Sequence, residues 1–355
     1  MSTEQTIAQP ESDAVVQTPT LAGRRFRSRD HYVVGREKVR EFARAVQAQH
    51  GAHLREPDAR KLGYEGIIAP PTFSSVIGIT ATRALLDSVL TDYDLSQILQ
   101  TDQVFEIVRP ILAGDQLTTE VVIESIRQFG DNDFILVGFS LTDQRGAVVQ
   151  TGSTTIVARR GAEVDANIAD TVENIMMHPR PSAQAAAAAG ALVAVDTDAD
   201  AAGSARLPQP NPLVHSLPDF DRLSVGEQLP AGTAEVTRGD LANYAGVSGD
   251  PNPIHFSEQA ATLAGLPTVV AHGMLTMGLA SGYLTSWVGD PTAIEKFSVR
   301  FSGFVPVATD APSTIEFTGK IKSLDPSRRI ATVMMAGTSD GRKLFGRAIA
   351  EIRFA

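Results

Sequence analysis

The sequence predicts an α+β protein built from two similar halves, and three observations carry this prediction. Each half begins with helical patterns and continues with a run of strands. Each half also has one long, nearly all-apolar helix candidate, Thr72–Leu90 in the first and Met274–Val288 in the second, and a helix that is apolar on most faces is buried. The length of 355 residues is large for one core and suits two domains.

Composition divides the chain at two places. Residues 1–22 lack apolar periodicity, and we expect a flexible tail there. Residues 161–215 are acidic and rich in Ala and Pro, so we interpret them as an interdomain linker that carries a short helix at Ile168–Met177. Folded domains are therefore expected at residues 23–160 and 216–355.

Both halves have four strand candidates, in which apolar and β-branched residues alternate or run together between Gly- and Asp-rich turns. In the first half they are Gln103–Pro110, Gln116–Arg127, Phe134–Thr142 and Val148–Arg159. In the second half they are Ser298–Val305, Ser313–Ser323, Ile330–Gly337 and Leu344–Phe354. The shared order of elements indicates a duplicated domain.

The duplication is visible when the sequence is slid along itself by 202 residues. At this offset Leu62–Pro71 lies over Ala264–Gly273 without a gap, with glycine and apolar positions in register. His53 falls on His255 at the same offset. The two halves are therefore expected to share one fold.

Charge and cysteine content exclude several classes of function. The formal net charge of −10 argues against nucleic acid as a partner, because phosphate contacts need a local excess of Lys and Arg. The chain has no cysteine, which excludes disulfides, thiolate nucleophiles and zinc–thiolate sites. No segment reaches the roughly 20 apolar residues of a membrane span, and the polar N-terminus has no apolar signal core. We therefore expect a cytoplasmic protein.

The second half contains a stiff turn between two predicted helices. Thr237, with an Asp three residues later, has the pattern of a capping box for a helix that ends near Gly246 or Gly249. The segment Gly249–Pro253 cannot continue the helix, because each proline disfavours helical backbone in the residue before it. Ser257 then caps a second short helix.

Asp250 and His255 lie on this turn. Taken singly, each has a structural explanation: Asp250 as a turn residue that bonds its own backbone, and His255 as a surface residue near a helix start. Held together, a carboxylate and an imidazole that titrates near neutrality can bind one water between them and exchange protons with it. The pair is therefore a candidate for acid–base catalysis.

The segment Tyr244–Glu258 resembles the motif of the MaoC-like or hydratase-2 family, in which an aromatic residue is followed by small-Ser-Gly-Asp-x-Asn-Pro-apolar-His-x-Ser-Glu. This resemblance implies a double hot-dog fold, with each half a curved antiparallel sheet wrapped around a long buried helix. It implies that Asp250 and His255 are the catalytic pair of a hydro-lyase. It also implies that no cofactor and no metal takes part.

A second segment, Ala271–Gly282, resembles the start of the buried helix in that family. The resemblance assigns the thioester oxygen to the N–H of Gly273, since a helix N-terminus favours developing negative charge. Ser281, eight residues further on and roughly two turns along the same face, resembles the family serine that supports the substrate pocket. His272 lies just before the glycine, where a structural hydrogen bond is favoured over catalysis.

The first half retains only part of this set. Ala48 and Pro71 stand at the positions of Asp250 and Gly273, so His53 alone remains. Each missing group typically costs ~10²–10⁴ in rate. We therefore predict that the first domain is not catalytic.

An incomplete half beside a complete one resembles a fusion of the two subunits of the mycobacterial (3R)-hydroxyacyl-ACP dehydratase, with Tyr32–Phe42 and Ala69–Phe73 similar to its non-catalytic subunit. The resemblance implies reversible dehydration of (3R)-3-hydroxyacyl thioesters to trans-2-enoyl thioesters in fatty-acid elongation. Acyl carrier protein and CoA are both possible carriers, and self-association or contact with other fatty-acid synthase enzymes is compatible with it. Two alternatives stay open: an (R)-specific enoyl-CoA hydratase, and a non-catalytic protein that binds acyl thioesters or assists assembly.

Overall fold

The computed structural model describes residues 21–91, 93, 98–159, 175, 191–195 and 214–355. Most of the predicted tail at residues 1–22 lies outside this part of the chain, as does the predicted helix Ile168–Met177 apart from Ile175. Within the described residues, every helix is too short or too polar to span a membrane.

The helices of the first half are α1 (Arg36–Ala45), α2 (Glu56–Lys61) and α3 (Ser74–Ser88), and those of the second are α4 (Arg238–Ser248), α5 (Glu258–Leu263) and α6 (Gly273–Val288). The strands of the first half are β1 (Arg25–Ser28), β2 (Tyr32–Val33), β3 (Ile98–Ile107), β4 (Gln116–Phe129), β5 (Asn132–Thr142), β6 (Val148–Arg159) and β7 (Leu192–Val195). Those of the second are β8 (Gly232–Val236), β9 (Ile294–Phe301), β10 (Ser313–Asp325), β11 (Ile330–Ser339), β12 (Arg342–Lys343) and β13 (Phe345–Arg353).

The strands form one antiparallel sheet that continues from one half into the other. Its main order is β7-β1-β4-β5-β6-β3-β9-β13-β11-β10-β8. The halves join where β3 pairs with β9, with Asp102 opposite Arg300 and Glu106 opposite Lys296. Both cross-strand pairs are also ion pairs, and Arg300 Nε lies 2.8 Å from Asp102 Oδ1.

Each long helix packs against the sheet of its own half. In the first half, Leu85 and Leu86 of α3 share a core with Val137 and Ile156. In the second, α6 is more deeply buried, and residues such as Leu275 pack in the larger core. This is the double hot-dog fold that the sequence analysis expected.

The duplication appears in the structure at the same offset of 202 residues. Helices α1 and α4 begin at Arg36 and Arg238, and helices α2 and α5 begin at Glu56 and Glu258. Each arginine forms an ion pair with the glutamate of its own half. The same residues therefore brace the same two helices in both halves.

Several short strands were not predicted, namely β1, β2, β7, β8 and β12. One of them, Leu192–Val195, lies inside the segment interpreted as a linker and pairs with β1, with Val195 opposite Arg25. Strands of two to five residues offer too little alternation for periodicity to reveal them. Part of the predicted linker is thus an edge strand of the first half.

Candidate active site

The predicted stiff turn is present between α4 and α5. Helix α4 begins with a capping box at Thr237 and ends at Gly249, whose positive φ of 78° is readily adopted by glycine. The side chain of Ser257 caps α5. Asp250 and His255 lie between these caps.

Side chain-to-backbone hydrogen bonds hold the turn. Asp250 Oδ1 accepts the Asn252 N–H at 3.1 Å, and Asn252 Oδ1 accepts the Ile254 N–H at 3.2 Å. His255 Nδ1 lies 2.8 Å from the carbonyl oxygen of Val270. Because a carbonyl can only accept, this contact assigns a proton to Nδ1 and leaves Nε2 of the neutral ring as a base.

His255 is buried beside the Asp250 carboxylate. Burial lowers the pKa of His255, and the negative Asp250 and the Val270 carbonyl counteract part of this effect. The imidazole is therefore mainly neutral at neutral pH, and its protonated form is a stronger acid than an ordinary imidazolium. Such a ring is suited to passing a proton to or from a bound oxygen.

His272 does not form the predicted structural hydrogen bond. Its two ring nitrogens are buried and have no partner among the described residues. The ring stacks on His255 with a centroid distance of 3.7 Å and lies 4.9 Å from the Tyr244 ring. Burial, followed by the nearby His255, lowers the pKa of His272 well below its ordinary value. His272 is thus an uncharged ring that packs against the His255 ring.

Asp250, His255 and His272 each place one possible ligand atom within 4.8 Å of the others. Their geometry does not suit a metal ion, because a metal lies close to the plane of every imidazole that binds it. The rings of His255 and His272 are stacked with an interplanar angle of 26°, so they do not offer a shared in-plane position. The arrangement suits acid–base chemistry better.

Gly273 is the first residue of α6. Its N–H belongs to the helix N-terminal donors that have no intrahelical acceptor, and the helix dipole adds positive potential there. A Cβ atom at this position would lie 3.4 Å from the Phe301 ring. Glycine therefore leaves room for a ligand to approach the donor.

A cavity of about 730 Å³ connects these residues with the first half. Asp250, His255 and Gly273 line one part of it. The remainder is formed by α3 and by side chains of β3 to β6, such as Phe105, together with second-half residues such as Leu266 and Phe301. Its size and mostly apolar wall are typical of a small-molecule site.

Ser281 does not line this cavity. It is buried on α6, whereas Gly273, Met274 and Thr276 are the cavity-lining residues of that helix. Eight residues rotate a helix by roughly 80° beyond two full turns. The spacing from Gly273 therefore does not put Ser281 on the same face, and the prediction of a pocket residue is not supported by its position.

Comparisons with known proteins agree with the motif. A FAS1-like dehydratase domain region matches residues 20–152, and a MaoC-like domain matches residues 224–336. A solved MaoC-like dehydratase is 41% identical, with a TM-score of 0.85, and the match covers 94% of this chain and 99% of that chain. The chain belongs to the MaoC-like dehydratase family.

Two UPF0336 proteins match about two fifths of this MaoC-like chain, and a more distant structure matches nearly all of it. A UPF0336 protein of Mycobacterium leprae is 36% identical over 153 residues, which is 43% of this chain and 96% of that protein. A UPF0336 protein of Clavibacter michiganensis is 38% identical over 141 residues, 40% of this chain and 95% of that protein. A conserved hypothetical protein of Mycobacterium tuberculosis with a double hot-dog fold is 13% identical, with a TM-score of 0.58. The match covers 94% of this chain and 96% of that chain, and at this identity it shows the fold alone.

In this MaoC-like protein the equivalent site of the first half is closed. His53 Nδ1 lies 2.7 Å from the Ile68 carbonyl, as His255 does from that of Val270, but its Nε2 is buried without a partner among the described residues. Val46 fills the space beside α6, where a Cβ atom on Gly278 would lie 2.6 Å from Val46 Cγ1.

Ser248 occupies the position of Val46 in the second half and lines the open cavity. Across the cavity, Gly78 of α3 has no atom within 4 Å of a Cβ placed there. Sequence analysis included Ser248 only as a motif position and gave it no role of its own. The offset of 202 residues would have shown the Val46-to-Ser248 difference, but only packing shows that it opens one site and closes the other.

Proposed function

We propose that the protein catalyses the reversible dehydration of (3R)-3-hydroxyacyl thioesters to trans-2-enoyl thioesters. The observation that carries the proposal is the position of Asp250 and His255 beside the start of α6 in one mostly apolar cavity. Membership of the MaoC-like family supports hydro-lyase chemistry. The pair then has the two proton-transfer groups that this reaction needs.

In the dehydration direction, the reacting form of the pair is the minor one in which His255 has taken up a second proton at Nε2 beside the Asp250 carboxylate. This imidazolium donates the Nε2 proton to the hydroxyl that leaves C3, while Asp250 takes the proton from C2. The C3–O and C2–H bonds break, the C2=C3 bond forms, and water departs. After these steps His255 has one proton fewer and Asp250 has one proton more. Transfer of a proton from Asp250 back to His255 restores the starting state. Burial favours the first transfer, because it destabilises the imidazolium and so lowers the pKa of His255.

As C2 loses its proton, negative charge develops on the thioester oxygen. The N–H of Gly273 at the α6 N-terminus would donate a hydrogen bond to this oxygen. Such a donor is fixed before the reaction, so it needs no reorganisation when the charge appears.

The acyl chain would extend into the part of the cavity lined by α3 and the first sheet. A depth that spans both halves supports substrates longer than a four-carbon acyl group. We therefore include a role in fatty-acid elongation in the proposal, with acyl carrier protein or CoA as the carrier.

The test is turnover of crotonyl and long-chain enoyl thioesters, each on CoA and on acyl carrier protein. We expect Asp250→Asn and His255→Ala each to lower kcat by ~10²–10⁴ with little change in melting temperature, because caps and prolines hold the turn. His53→Ala is the matched control and should stay within a few fold of wild type. Near-wild-type rates in either second-half variant would refute the assignment, and absent turnover in the wild type would favour a binding protein.

A further inference from the structure

The first turn of α3 carries two buried hydroxyl groups, those of Ser74 and Ser75. Ser74 is only 2% exposed, its hydroxyl has no hydrogen-bond partner among the described residues, and both residues line the cavity. Further along the helix, the Ser88 hydroxyl donates to the carbonyl of Ala84 one turn back. Neither hydroxyl of the first turn is bonded in this way to a carbonyl of the described residues, so each keeps hydrogen-bonding capacity for a ligand.

The Ser75 hydroxyl lies at the reacting end of the cavity. Burial raises the pKa of Tyr244, whereas a hydrogen bond with the Ser75 side chain acts on the same phenol in the opposite direction. The charge of Asp250 also acts on this phenol. The Tyr244 ring lies 4.9 Å from His272, whose ring stacks on His255. Ser75 therefore lies next to the Asp250 and His255 region, and Ser74 is its neighbour on the same cavity wall.

The corresponding turn of α6 differs. Its cavity-lining hydroxyl, on Thr276, donates to the Gly273 carbonyl at 2.7 Å and is already satisfied. Thr72, just before α3, also has a buried hydroxyl without a partner among the described residues, but it does not line the cavity and faces Gly278. Thr72 is thus a matched control for the loss of a buried hydroxyl.

We propose that Ser74 and Ser75 form a binding subsite for the oxygen that leaves C3 as water in dehydration and enters as water in hydration. This inference rests on the proposed function. A water in a mostly apolar cavity makes two to four hydrogen bonds with polar partners, so Asp250 and His255 leave one or two of these positions for further partners. A hydroxyl group can donate or accept, so it follows the oxygen from alcohol to water without a change of charge. The half without the catalytic pair thus holds the water.

The experiment uses the full chain with Ser74→Ala, Ser75→Ala, the double variant and the control Thr72→Val. Substrates are short and long 3-hydroxyacyl thioesters that carry heavy oxygen at the 3-hydroxyl. Each hydroxyl lost should lower kcat about threefold to tenfold, with KM little changed and with equal effects on short and long substrates. Ser75→Thr keeps the hydroxyl and should restore the rate.

A second measurement separates water binding from a structural role. In deuterated water, loss of heavy oxygen from the substrate is compared with uptake of deuterium at C2. Without the subsite, the water released from C3 leaves the cavity before it can add back to the enoyl thioester. Loss of heavy oxygen from the substrate should then rise relative to uptake of deuterium at C2. Serine variants that behave like Thr72→Val overturn the inference, as does a larger loss on long substrates. Full activity of Asp250→Asn would instead refute the proposed function itself.

Discussion

One pair of equivalent residues differs in how it fills the space beside the site. Val46 of the first half packs against Gly278 of α6, and Ser248 stands in the equivalent place on the cavity wall in the second half. The two positions lie at the ends of equivalent helices, Val46 directly after α1 and Ser248 as the last residue of α4. A valine is therefore compatible with this position, and it removes space that a ligand would use.

We predict that Ser248→Val lowers kcat/KM by about tenfold or more, because overpacking beside a reacting group costs ~1–3 kcal/mol. Steady-state kinetics with crotonyl thioester provide the measurement. The reciprocal change Val46→Ser should leave kcat/KM within a few fold and only reduce the melting temperature. Unchanged kinetics in Ser248→Val would show that the extra volume is not used by the substrate.

His53 should make the fold sensitive to acid. Burial lowers the pKa of His53 from its ordinary value of 6.5 to about 4. Between these values the unfolded chain binds more protons than the folded one, so stability is present above pH 6.5 and is lost as the pH falls towards 4. The loss amounts to about 3 kcal/mol.

The measurement is urea unfolding of wild type and His53→Gln from pH 7.5 to about pH 4.5. Because His255 and His272 also have lowered pKa values, both proteins will lose stability in acid. The variant should lose less by about 2–3 kcal/mol. Identical pH slopes would mean that His53 is hydrated or paired in solution.

Residues of the site were predictable where they form one local pattern. Asp250 and His255 lie within six residues of each other, between caps that can be read from the sequence. Ser74, Ser75 and Gly78 join the same cavity only through the packing of one half on the other. Neither periodicity nor motif spacing contains that information.

At the scale of elements, α3 and α6 occupy equivalent positions in the folds of the two halves. They contribute different parts of their surfaces to the cavity. Helix α6 presents its N-terminus to the cavity, whereas α3 presents a longer face that includes Gly78 and Leu86. The burial of both helices was predicted from their apolar composition. Which helix face lines a cavity depends on the other half, and the sequence of one helix does not determine it.

We predict that Gly78→Phe impairs long substrates more than short ones. The new ring would enter the part of the cavity formed by the first sheet, beyond the reach of a crotonyl group. Gly282→Phe is a matched control, because Gly282 is also a helical glycine with open space around it but does not line the cavity. Comparison of kcat/KM for crotonyl and long-chain enoyl thioesters measures the effect. An equal loss on both would leave the first half a purely structural role.

The strands show the same limit of prediction. The long strand β6 has the predicted bounds, Val148–Arg159, because its twelve residues include a run of β-branched and apolar side chains that favours a strand. Strand β7 was missed because its four residues depend on β1 for pairing. Long elements carry their own signal, and short edge strands depend on a neighbour distant in sequence.

At the scale of the whole molecule, the two halves share one sheet and one core. Pairing of β3 with β9 crosses the boundary, and Phe42 of the first half lies 6.2 Å from Tyr244 of the second, measured between ring centroids. Separation of the halves would expose two long strand edges, which are prone to aggregation. The halves are therefore expected to depend on each other for stability.

We predict a single cooperative transition in calorimetric unfolding of the full chain. The calorimetric enthalpy should agree with the van't Hoff enthalpy, as it does for one cooperative unit. Weakening the boundary with Arg300→Ala should lower the temperature of that transition without splitting it. Two resolved transitions would contradict this expectation.

The closed pocket around Val46 has a consequence for stoichiometry. In a two-fold assembly of identical subunits, one substitution changes both sites at once, so closing one closes its mate. A chain that contains both halves escapes this restriction, because Val46 and Ser248 can differ. Symmetry is then broken, and the wall of the closed half becomes free to enclose the ligand of the open half. Titration with a non-reactive acyl thioester should accordingly saturate at one molecule per chain rather than two.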